Sequence, residues 1–246
     1  QFVSTNMIRN IVGQPENRMD MDDIMNNQKI LLMNVSKGTL SEEISGIIGS
    51  MVITSLYRSA MKRAAMPEEE RKDFYFYVDE FQNFATHTFG EILSEARKYR
   101  LNLCVSHQHL GQIDDYTKSM VFGNIGSMIS FRVGADDAFN LEREFTPVFK
   151  ANDIINLGVR EFYVKMTIDG KLRDPFSGYT LTIPKVTNDL SDKIIQHSRE
   201  TYGLPRAEVE KIIEQMEKGY EEGDQDDSNE GTTNSLGEEK FSAPLV

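Results

Sequence analysis

The chain has 246 residues, one cysteine and a formal net charge of −12 at pH 7. A single cysteine excludes a disulfide framework and favours a reducing, cytoplasmic compartment, and no apolar run approaches the roughly 18 residues that a membrane helix needs. Residues 217–246 carry −7 of the charge, so the body is only mildly acidic, which argues against a broad basic DNA-binding face and allows only local nucleic-acid contacts.

The first 65 residues predict two helices separated by one strand. Residues 1–27 begin at Gln1 rather than Met and contain a short amphipathic piece, so we expect a short helix and a loop within a fragment of a longer protein. The apolar run 29–35 predicts a first buried strand. Thr39 and Glu42 have the spacing of a capping box, and they predict the start of a long crossover helix that ends near Ala65.

The stretch 74–80 places two acids at the end of a strand. Five apolar or aromatic residues predict a strand at 74–78 that is buried on both faces, and Asp79 and Glu80 follow it directly. Open α/β sheets bind ligands at the carboxyl ends of such strands. Alone, this pattern fits a pair of nucleotide-site acids and a solvated acidic turn equally well.

The next elements continue the alternation of helices and strands. Thr88 and Glu91 repeat the capping-box spacing and predict a helix that ends at Arg97-Lys98-Tyr99-Arg100. Residues 101–106 predict a strand, and Gln108 lies just beyond its end. Further on we predict helical segments at 112–122, a strand at 127–133, a helix at 135–144 and a short turn at 152–156. Because strands that alternate with helices form right-handed crossovers, the sheet should be mostly parallel.

The C-terminal third has a different pattern. Residues 161–167 and 172–183 flank Asp169-Gly170 and predict an antiparallel hairpin that extends the parallel sheet. Residues 188–218 predict two helices broken at Gly203-Leu204-Pro205, and the acidic stretch 219–246 is expected to be disordered. We therefore predict an α/β fold, RecA-like in its helix-flanked sheet, with a main domain at 1–185, a helical segment at 186–218 and a disordered tail at 219–246.

Four short motifs carry the most specific signal in the chain. They are Asp79-Glu80-Phe81-Gln82-Asn83-Phe84, Glu95-Ala96-Arg97-Lys98-Tyr99, Phe122-Gly123-Asn124-Ile125-Gly126 and Phe131-Arg132-Val133-Gly134, with the stretch 32–38 upstream. As a set, spread over residues 5–185, they resemble the HerA/FtsK branch of the RecA-like P-loop ATPases. Within that branch the chain is similar to the TraD/TraG-type conjugative coupling proteins of type IV secretion systems.

The resemblance implies roles for four residues around a bound ATP. Asp79 would order the Mg²⁺ shell through water, and Glu80 would act as general base for the attacking water. Gln108 would sense the γ-phosphate, since a side-chain amide can both donate and accept a hydrogen bond. Asn124 would order the loop near the γ-phosphate, with a turn-forming Asn beside Gly as the alternative.

Two arginines are candidates for an arginine finger that acts on the nucleotide of a neighbouring subunit. Arg97 is the first candidate and Arg132 the second, and such a finger contributes about 10³ to 10⁵ in rate in other phosphoryl-transfer systems. The alternative for Arg97 is a helix-terminal cation favoured by the helix dipole. The alternative for Arg132 is a structural ion pair.

One motif of these ATPases is missing from the chain. No G-x-x-x-x-G-K-S/T occurs in it, so the backbone cradle for the phosphates is absent. We expect the chain to begin after that loop and to be inactive alone. We also expect unpaired strand edges that make the chain poorly stable or prone to associate.

For the complete protein, the resemblance implies an ATP- and Mg-dependent motor that moves DNA. Such a motor would assemble as a homohexameric ring and pass single- or double-stranded DNA through its pore. A relaxase and secretion-channel proteins would be its partners, in the cytoplasm or at the inner face of the membrane through regions outside this chain. Two alternatives stay open: a secretion-system assembly ATPase that acts on protein, and a non-catalytic DNA-binding or scaffold module.

Three other features have weaker functional interpretations. His107 and His109 lie two positions apart without an obvious third ligand, which is a weak metal signal. Cys104 lies inside a predicted strand, and we interpret it as a small core residue. The acidic tail could recruit a basic partner, but most such tails only keep the chain solvated.

Overall fold

The structure is a computed structural model that describes residues 6–36, 38, 40–84 and 87–227. The chain divides into two compact units, one made of Gln1–Met19 with Asp189–Val246 and the other of Asp20–Asn188. The first residues therefore group with the C-terminal helices, whereas we predict them to be part of a domain that spans 1–185. Within the described residues, no helix combines the length and the apolarity that crossing a bilayer requires.

The helices and strands confirm an α/β protein. The helices are Asn6–Val12 (α1), Met21–Asn26 (α2), Glu42–Lys62 (α3), His87–Glu95 (α4), Asp115–Asn124 (α5), Ala135–Phe145 (α6), Ala151–Ile155 (α7), Ser191–Tyr202 (α8) and Arg206–Asp227 (α9). The strands are Phe74–Val78 (β1), Leu101–Val105 (β2), Ser127–Ser130 (β3), Glu161–Ile168 (β4), Lys171–Leu172 (β5) and Phe176–Tyr179 (β6). Strands β1 and β2 form a parallel pair, and β3 to β6 form an antiparallel sheet.

The parallel pair is covered on one face only in the part of the chain that the structure describes. Its register runs from Phe74 beside Leu101 to Val78 beside Val105. Along β1 the exposed fraction alternates: Tyr75 and Tyr77 are 61% and 71% exposed, whereas Val78 is buried. The prediction that this strand is buried on both faces is therefore wrong, because the described helices cover a single face.

Cys104 shares the open face of this pair. It lies beside Tyr77 in the register, and its side chain is exposed. The interpretation of Cys104 as a core residue is wrong, because the described helices do not cover the face of the pair on which Cys104 and Tyr77 lie. Strand residues alternate between faces, so a residue beside an exposed tyrosine is exposed as well.

The predicted strand at 29–35 is not formed. The segment is irregular and makes no ladder with another described strand. Its apolar side chains point largely into solvent, with Ile30 89% and Leu32 76% exposed. A run of apolar residues becomes a strand only where a neighbouring backbone supplies the ladder of hydrogen bonds, and none of the described segments does so here.

Helix starts differ from the predicted ones. Ser41 caps α3, and its hydroxyl accepts a hydrogen bond from the Ile44 backbone at 3.3 Å, whereas the predicted cap, Thr39, lies outside the described residues. Helix α4 begins at His87, so Thr88 lies inside the helix and not at its cap. Helix α2 occupies part of the stretch predicted as a loop, with Asp20 accepting from the Asp22 backbone at 2.8 Å.

The antiparallel sheet contains the predicted hairpin. Asp169 and Gly170 both have positive φ, 51° and 72°, which is typical of the tight turn that joins β4 to β5. Strand β6 pairs with the other part of β4, and β3, shorter than predicted, pairs antiparallel with β4 rather than joining the parallel pair. Tyr163 of β4 stacks on Phe149 with ring centroids 3.6 Å apart, which covers one face of this sheet.

The unit formed by the chain ends is helical. Helices α8 and α9 are separated at residues 203–205, as predicted. Helix α1 packs on α9, where Ile8, Val209 and Ile213 are buried and Arg9 pairs with Glu217. Helix α9 continues to Asp227, residues 228–246 lie outside the described part, and the disorder of the acidic tail stays a prediction.

Candidate functional site

The parallel pair brings the two acids together with residues that follow β2. Asp79 and Glu80 come directly after β1, and Ser106 and Gln108 come after β2. Backbone hydrogen bonds continue past both strand ends, since the Ser106 amide donates to the Val78 carbonyl at 2.9 Å and the Phe81 amide donates to the Ser106 carbonyl at 3.0 Å. Glu80 and Gln108 therefore lie at the same edge of the sheet, within hydrogen-bond distance of each other.

The Glu80 carboxylate is held between two side-chain amides. Gln108 Nε2 donates to Glu80 Oε1 at 2.5 Å, and Gln82 Nε2 donates to Glu80 Oε2 at 2.5 Å. The Glu80 backbone is left-handed, with φ 50° and ψ 47°. One donor on each oxygen fixes the plane of the carboxylate, which is what a group that must take a proton from a defined direction needs.

The Asp79 carboxylate is held through one of its oxygens. Ser106 Oγ donates to Asp79 Oδ1 at 2.5 Å, and the Glu80 amide donates to the same oxygen at 3.1 Å. Asp79 is exposed. Carboxylate and hydroxyl oxygens suit Mg²⁺ as ligands. Proteins often bind Mg²⁺ through one or two carboxylates, and water and phosphate oxygens fill the other coordination positions. Asp79 and Ser106 therefore fit a Mg²⁺ ion, although the described residues contain no group of three or more His, Cys, Asp or Glu that could hold a metal alone.

A groove opens beside the two acids. Its volume is about 660 Å³, and it is lined by the segment 33–36, by one face of α3 and by residues 76–80 and 82–84. Gln82 Oε1 is buried at this wall and has no hydrogen-bond partner among the described residues. The groove therefore has room for a ligand of moderate size beside Glu80, with an unused acceptor in its wall.

His107 lies next to the acids, close enough for Glu80 to act on its charge. Its ring packs edge-on against the buried ring of Phe81, with centroids 5.3 Å apart. Burial lowers the pKa of His107 below its ordinary value, while Asp137 and Glu80 act in the opposite direction. His109 lies 3.7 Å from Asp137. His107 therefore supports the turn around Phe81, and the weak metal signal of His107 with His109 stays a prediction.

Arg97 lies at the opposite edge of the parallel pair. It belongs to the short 3-10 helix Ala96–Tyr99 that precedes β2, and its side chain is exposed. Strands of five residues separate this edge from Asp79, which is roughly 15 Å at the usual rise per residue. The structure therefore does not bring Arg97 to the acids of its own chain.

Asn124 and Arg132 also lie apart from the acids. Asn124 ends α5, and its side-chain amide donates to the Met120 carbonyl at 2.9 Å, so it completes the end of its own helix. Arg132 is exposed just after β3, and in the described part of the chain it has no ion-pair partner. The roles predicted for these two residues stay predictions.

Two residues of the site are absent from the predicted set. Gln82 orients Glu80, and Ser106 orients Asp79. Gln82 is two residues after Glu80 in the acid motif, and Ser106 ends the predicted strand before Gln108. The sequence does show that both residues are polar and lie near the end of a predicted strand, which is a signal for a site residue. Which acid Gln82 or Ser106 contacts depends on the strand register, which the sequence does not give.

Comparisons with known proteins give structural neighbours only. No family model matches the chain, and no curated protein matches it. Among solved structures, it is similar to the plasmid coupling protein TrwB in complex with ADP and Mg²⁺, with 16% identity, a TM-score of 0.48, and coverage of 62% of this chain and 39% of that chain.

Two further structures complete this comparison. One is the bacterial conjugative coupling protein TrwB in an unbound monoclinic form, with 15% identity, a TM-score of 0.47, and coverage of 61% of this chain and 39% of that chain. The other is the genome packaging NTPase from Sulfolobus turreted icosahedral virus 2 in complex with AMPPCP, with 12% identity, a TM-score of 0.45, and coverage of 68% and 73%. This chain therefore spans less than half the length of either coupling protein structure.

Proposed function

We propose that Asp79, Glu80 and Gln108 are the water-activating side of an ATP hydrolysis site in a DNA-translocating motor. One observation carries this proposal: at the carboxyl edge of a parallel strand pair, Glu80 is held between the amides of Gln82 and Gln108. A carboxylate oriented in this way beside a groove is suited to accept a proton from a bound water. The motifs around these residues add the resemblance to HerA/FtsK-type ATPases.

The chemistry assigned to the residues is phosphoryl transfer to water. Glu80 accepts a proton from the water that attacks the γ-phosphate of ATP, and Gln108 reports the state of that phosphate through its hydrogen bond to Glu80. Asp79 and Ser106 would hold Mg²⁺, which when bound neutralises negative charge on the phosphates. Asn124 is assigned to the loop near the γ-phosphate.

The rest of the site has to come from outside these residues. The chain has no G-x-x-x-x-G-K-S/T motif, so another stretch supplies the phosphate cradle in this proposal. Arg97 lies too far from Asp79 to act within the same chain, and we assign it to the nucleotide of a neighbouring subunit, with Arg132 as the second candidate. A ring of identical full-length subunits, a hexamer in the proposal, would bring the arginine of one subunit to the nucleotide of its neighbour.

The proposed substrate is DNA and the proposed setting is conjugative transfer. In that setting a relaxase and secretion-channel proteins are the partners, and the motor works in the cytoplasm or at the inner face of the membrane. The mildly acidic body argues against DNA contacts on a broad basic face, so the proposal assigns them to a pore. These assignments rest on the resemblance of the motifs.

The proposal is tested by the hydrolysis of ATP by the full-length protein, with and without DNA. We expect Mg-dependent hydrolysis that single- or double-stranded DNA stimulates, and a loss of about 10²-fold or more in Asp79→Asn. Asp115→Asn, a fully exposed acid on α5, is the matched control and should retain the wild-type rate. Hydrolysis that no DNA stimulates would favour a protein substrate, and a full-length protein without hydrolysis would identify a scaffold module.

A further inference from the structure

Arg63 is a buried cation without a carboxylate partner among the described residues. It is 1% exposed, and burial lowers its pKa. Its guanidinium donates only to neutral oxygens: Nε to Asn26 Oδ1 at 2.9 Å, Nη2 to the Met25 carbonyl at 2.9 Å, and Nη1 to the carbonyls of Lys72 and Tyr99 at 2.8 and 2.9 Å. Burying a charge against neutral acceptors is costly, so the arrangement points to a task that a neutral residue would not perform.

Arg71 contacts the same helix end as Arg63. Its Nη1 donates to the Lys98 carbonyl at 2.8 Å, and its Nε and Nη2 donate to the Met66 carbonyl at 3.1 and 2.8 Å. Its guanidinium carbon lies 5.7 Å from the centre of the Tyr99 ring. Arg71 therefore binds both the backbone and an aromatic side chain of the 3-10 helix that contains Arg97.

Together the two arginines complete the hydrogen bonding of this helix end. The last carbonyls of a helix have no partner within it. Here the Arg100 amide donates to the carbonyls of Ala96 and Arg97, and the Phe74 amide donates to the Arg100 carbonyl at 2.9 Å. Arg71 donates to the Lys98 carbonyl and Arg63 to the Tyr99 carbonyl. Every backbone carbonyl from residue 96 to residue 100 therefore accepts a hydrogen bond.

Arg97 is held through its backbone and not through its side chain. Its side chain is exposed, and none of the ion pairs in the described part of the chain involves it. A cation on a fixed backbone that has no ion-pair partner among the described residues is available to an anionic group outside its own chain.

We propose that Arg63 and Arg71 are positioning residues for Arg97, and that they hold it ready for the phosphates of a nucleotide bound to a second copy of this chain. The inference rests on the proposed function, because it takes the anion to be that nucleotide. Arg63 and Arg71 touch no substrate in it. They act through the backbone of residues 96–100.

A double-mutant cycle on the full-length protein tests this coupling. We expect Arg97→Ala to lower kcat by about 10³-fold and Arg71→Met to lower it about tenfold, with the KM for ATP unchanged in both. Because Arg71 acts through Arg97, the double variant should be as slow as Arg97→Ala alone. Arg58→Met, an exposed arginine on α3, should retain the wild-type rate.

If kcat of the double variant falls by the product of the two single-variant losses, the positioning role is overturned and Arg71 has a separate structural effect. An unchanged rate in Arg97→Ala would overturn it as well. Glu80→Gln distinguishes these failures from a failure of the proposed function: if Glu80→Gln abolishes hydrolysis while the cycle fails, only the inference is wrong. If Glu80→Gln hydrolyses ATP at the wild-type rate, the proposed function is wrong.

Hydrogen exchange gives a readout that does not depend on activity. In Arg71→Met and in the conservative Arg63→Lys, the amides of Arg100 and Phe74 should exchange faster, since these two amides donate hydrogen bonds to the carbonyls of the helix end. The amides of Phe81 and Ser106, at the opposite edge of the sheet, should keep their protection. Unchanged exchange at Arg100 and Phe74 in both variants would contradict the proposed fixation.

Discussion

Glu80 combines an unfavourable backbone with a well-held side chain. Its left-handed conformation costs a residue with a Cβ about 1 kcal/mol or more. The Asn83 amide donates to the Glu80 carbonyl at 3.0 Å, which closes the turn, and Gln82 and Gln108 hold the carboxylate. Local strain that persists beside a groove is typical of a functional position, and here it orients the carboxylate between its two donors.

Gln108 provides the first prediction at this scale. Gln108→Leu removes the donor to Glu80 Oε1, so the carboxylate should lose its fixed direction. In the full-length protein we expect kcat for ATP hydrolysis to fall about 10²-fold with little change in nucleotide affinity. The control is Gln196→Leu on α8, because the side-chain amide of Gln196 donates a hydrogen bond to the exposed Glu200. A Gln108→Leu variant with the wild-type kcat would remove Gln108 from the site.

His107 provides a prediction on pH. Because burial lowers the pKa of His107 in the folded chain, the unfolded chain binds a proton more readily below the ordinary histidine pKa of about 6.5. The contribution of His107 to stability is therefore present above that pH and is lost as the pH falls towards the folded pKa. His109, Asp137 and Glu80 are the charged or titratable groups that act on it.

The measurement is the melting temperature between about pH 7.5 and pH 5.5. On acidification, the melting temperature of the wild type should fall more than that of His107→Gln. The melting temperature of His197→Gln, a variant on α8, should fall as much as that of the wild type. Carboxylates whose pKa is lowered, such as Asp114, titrate below this range and do not contribute. Equal pH dependence in the wild type and His107→Gln would contradict the assignment to His107.

Among the elements, helix α3 approaches the turn after β1 through a glycine. A Cβ on Gly49 would lie 2.3 and 2.4 Å from ring atoms of Phe84, which is itself buried. A Cβ on Gly46 would lie 3.7 Å from the Asn83 carbonyl, an ordinary contact. The absence of a side chain at Gly49 thus lets the helix pack directly against the turn that contains Gln82.

The two glycines form a matched pair for a stability test. Gly49→Ala should lower the free energy of unfolding by about 2 kcal/mol, because the methyl group displaces the Phe84 ring. Gly46→Ala should raise it by about 0.5 to 1 kcal/mol, because alanine is the better helix former. Denaturant unfolding of both variants measures the difference. Equal stability of the two variants would show that the ring moves aside without cost.

The elements also show how far the sequence could predict the fold. Strand β1, the hairpin turn at Asp169-Gly170 and the helix break at 203–205 follow from local chemistry: apolar runs, residues that accept positive φ, and proline. The segment 29–35 has an equally apolar run but no described backbone pairs with it, and pairing is not a local property. Helix α2 has only six residues, so its buried positions Met21, Ile24 and Met25 make a single apolar repeat, too short to distinguish a helix from a loop.

The candidate site was predictable to a similar degree. The order of Asp79, Glu80 and Gln108 along two strands is visible in the sequence, and a parallel pair brings them together. The contacts of Gln82 and Ser106 depend on side-chain directions in the turn and on the strand register. The exposure of Tyr77 and Cys104 could not be predicted, because it depends on which helices cover the sheet.

In the molecule as a whole, the proposed functional groups lie at opposite edges of one strand pair. Asp79 and Glu80 follow the carboxyl end of β1, and Arg97 precedes the amino end of β2. In the proposed ring, each copy would keep its acids at its own nucleotide and present its arginine to the nucleotide of one neighbour. The open face that Tyr75 and Tyr77 form leaves room for contacts beyond the described residues, and association of the 246-residue chain stays a prediction.

The central claim is that Glu80 activates the water that hydrolyses ATP. The most direct measurement compares ATP binding and turnover in full-length Glu80→Gln with those of the wild type. Glu69→Gln, a variant of an exposed acid that does not line the groove, is the control. We predict unchanged ATP affinity and a turnover lowered by about 10² to 10⁴-fold, with a wild-type rate in Glu69→Gln. Turnover in Glu80→Gln within a few-fold of the wild type would contradict the account.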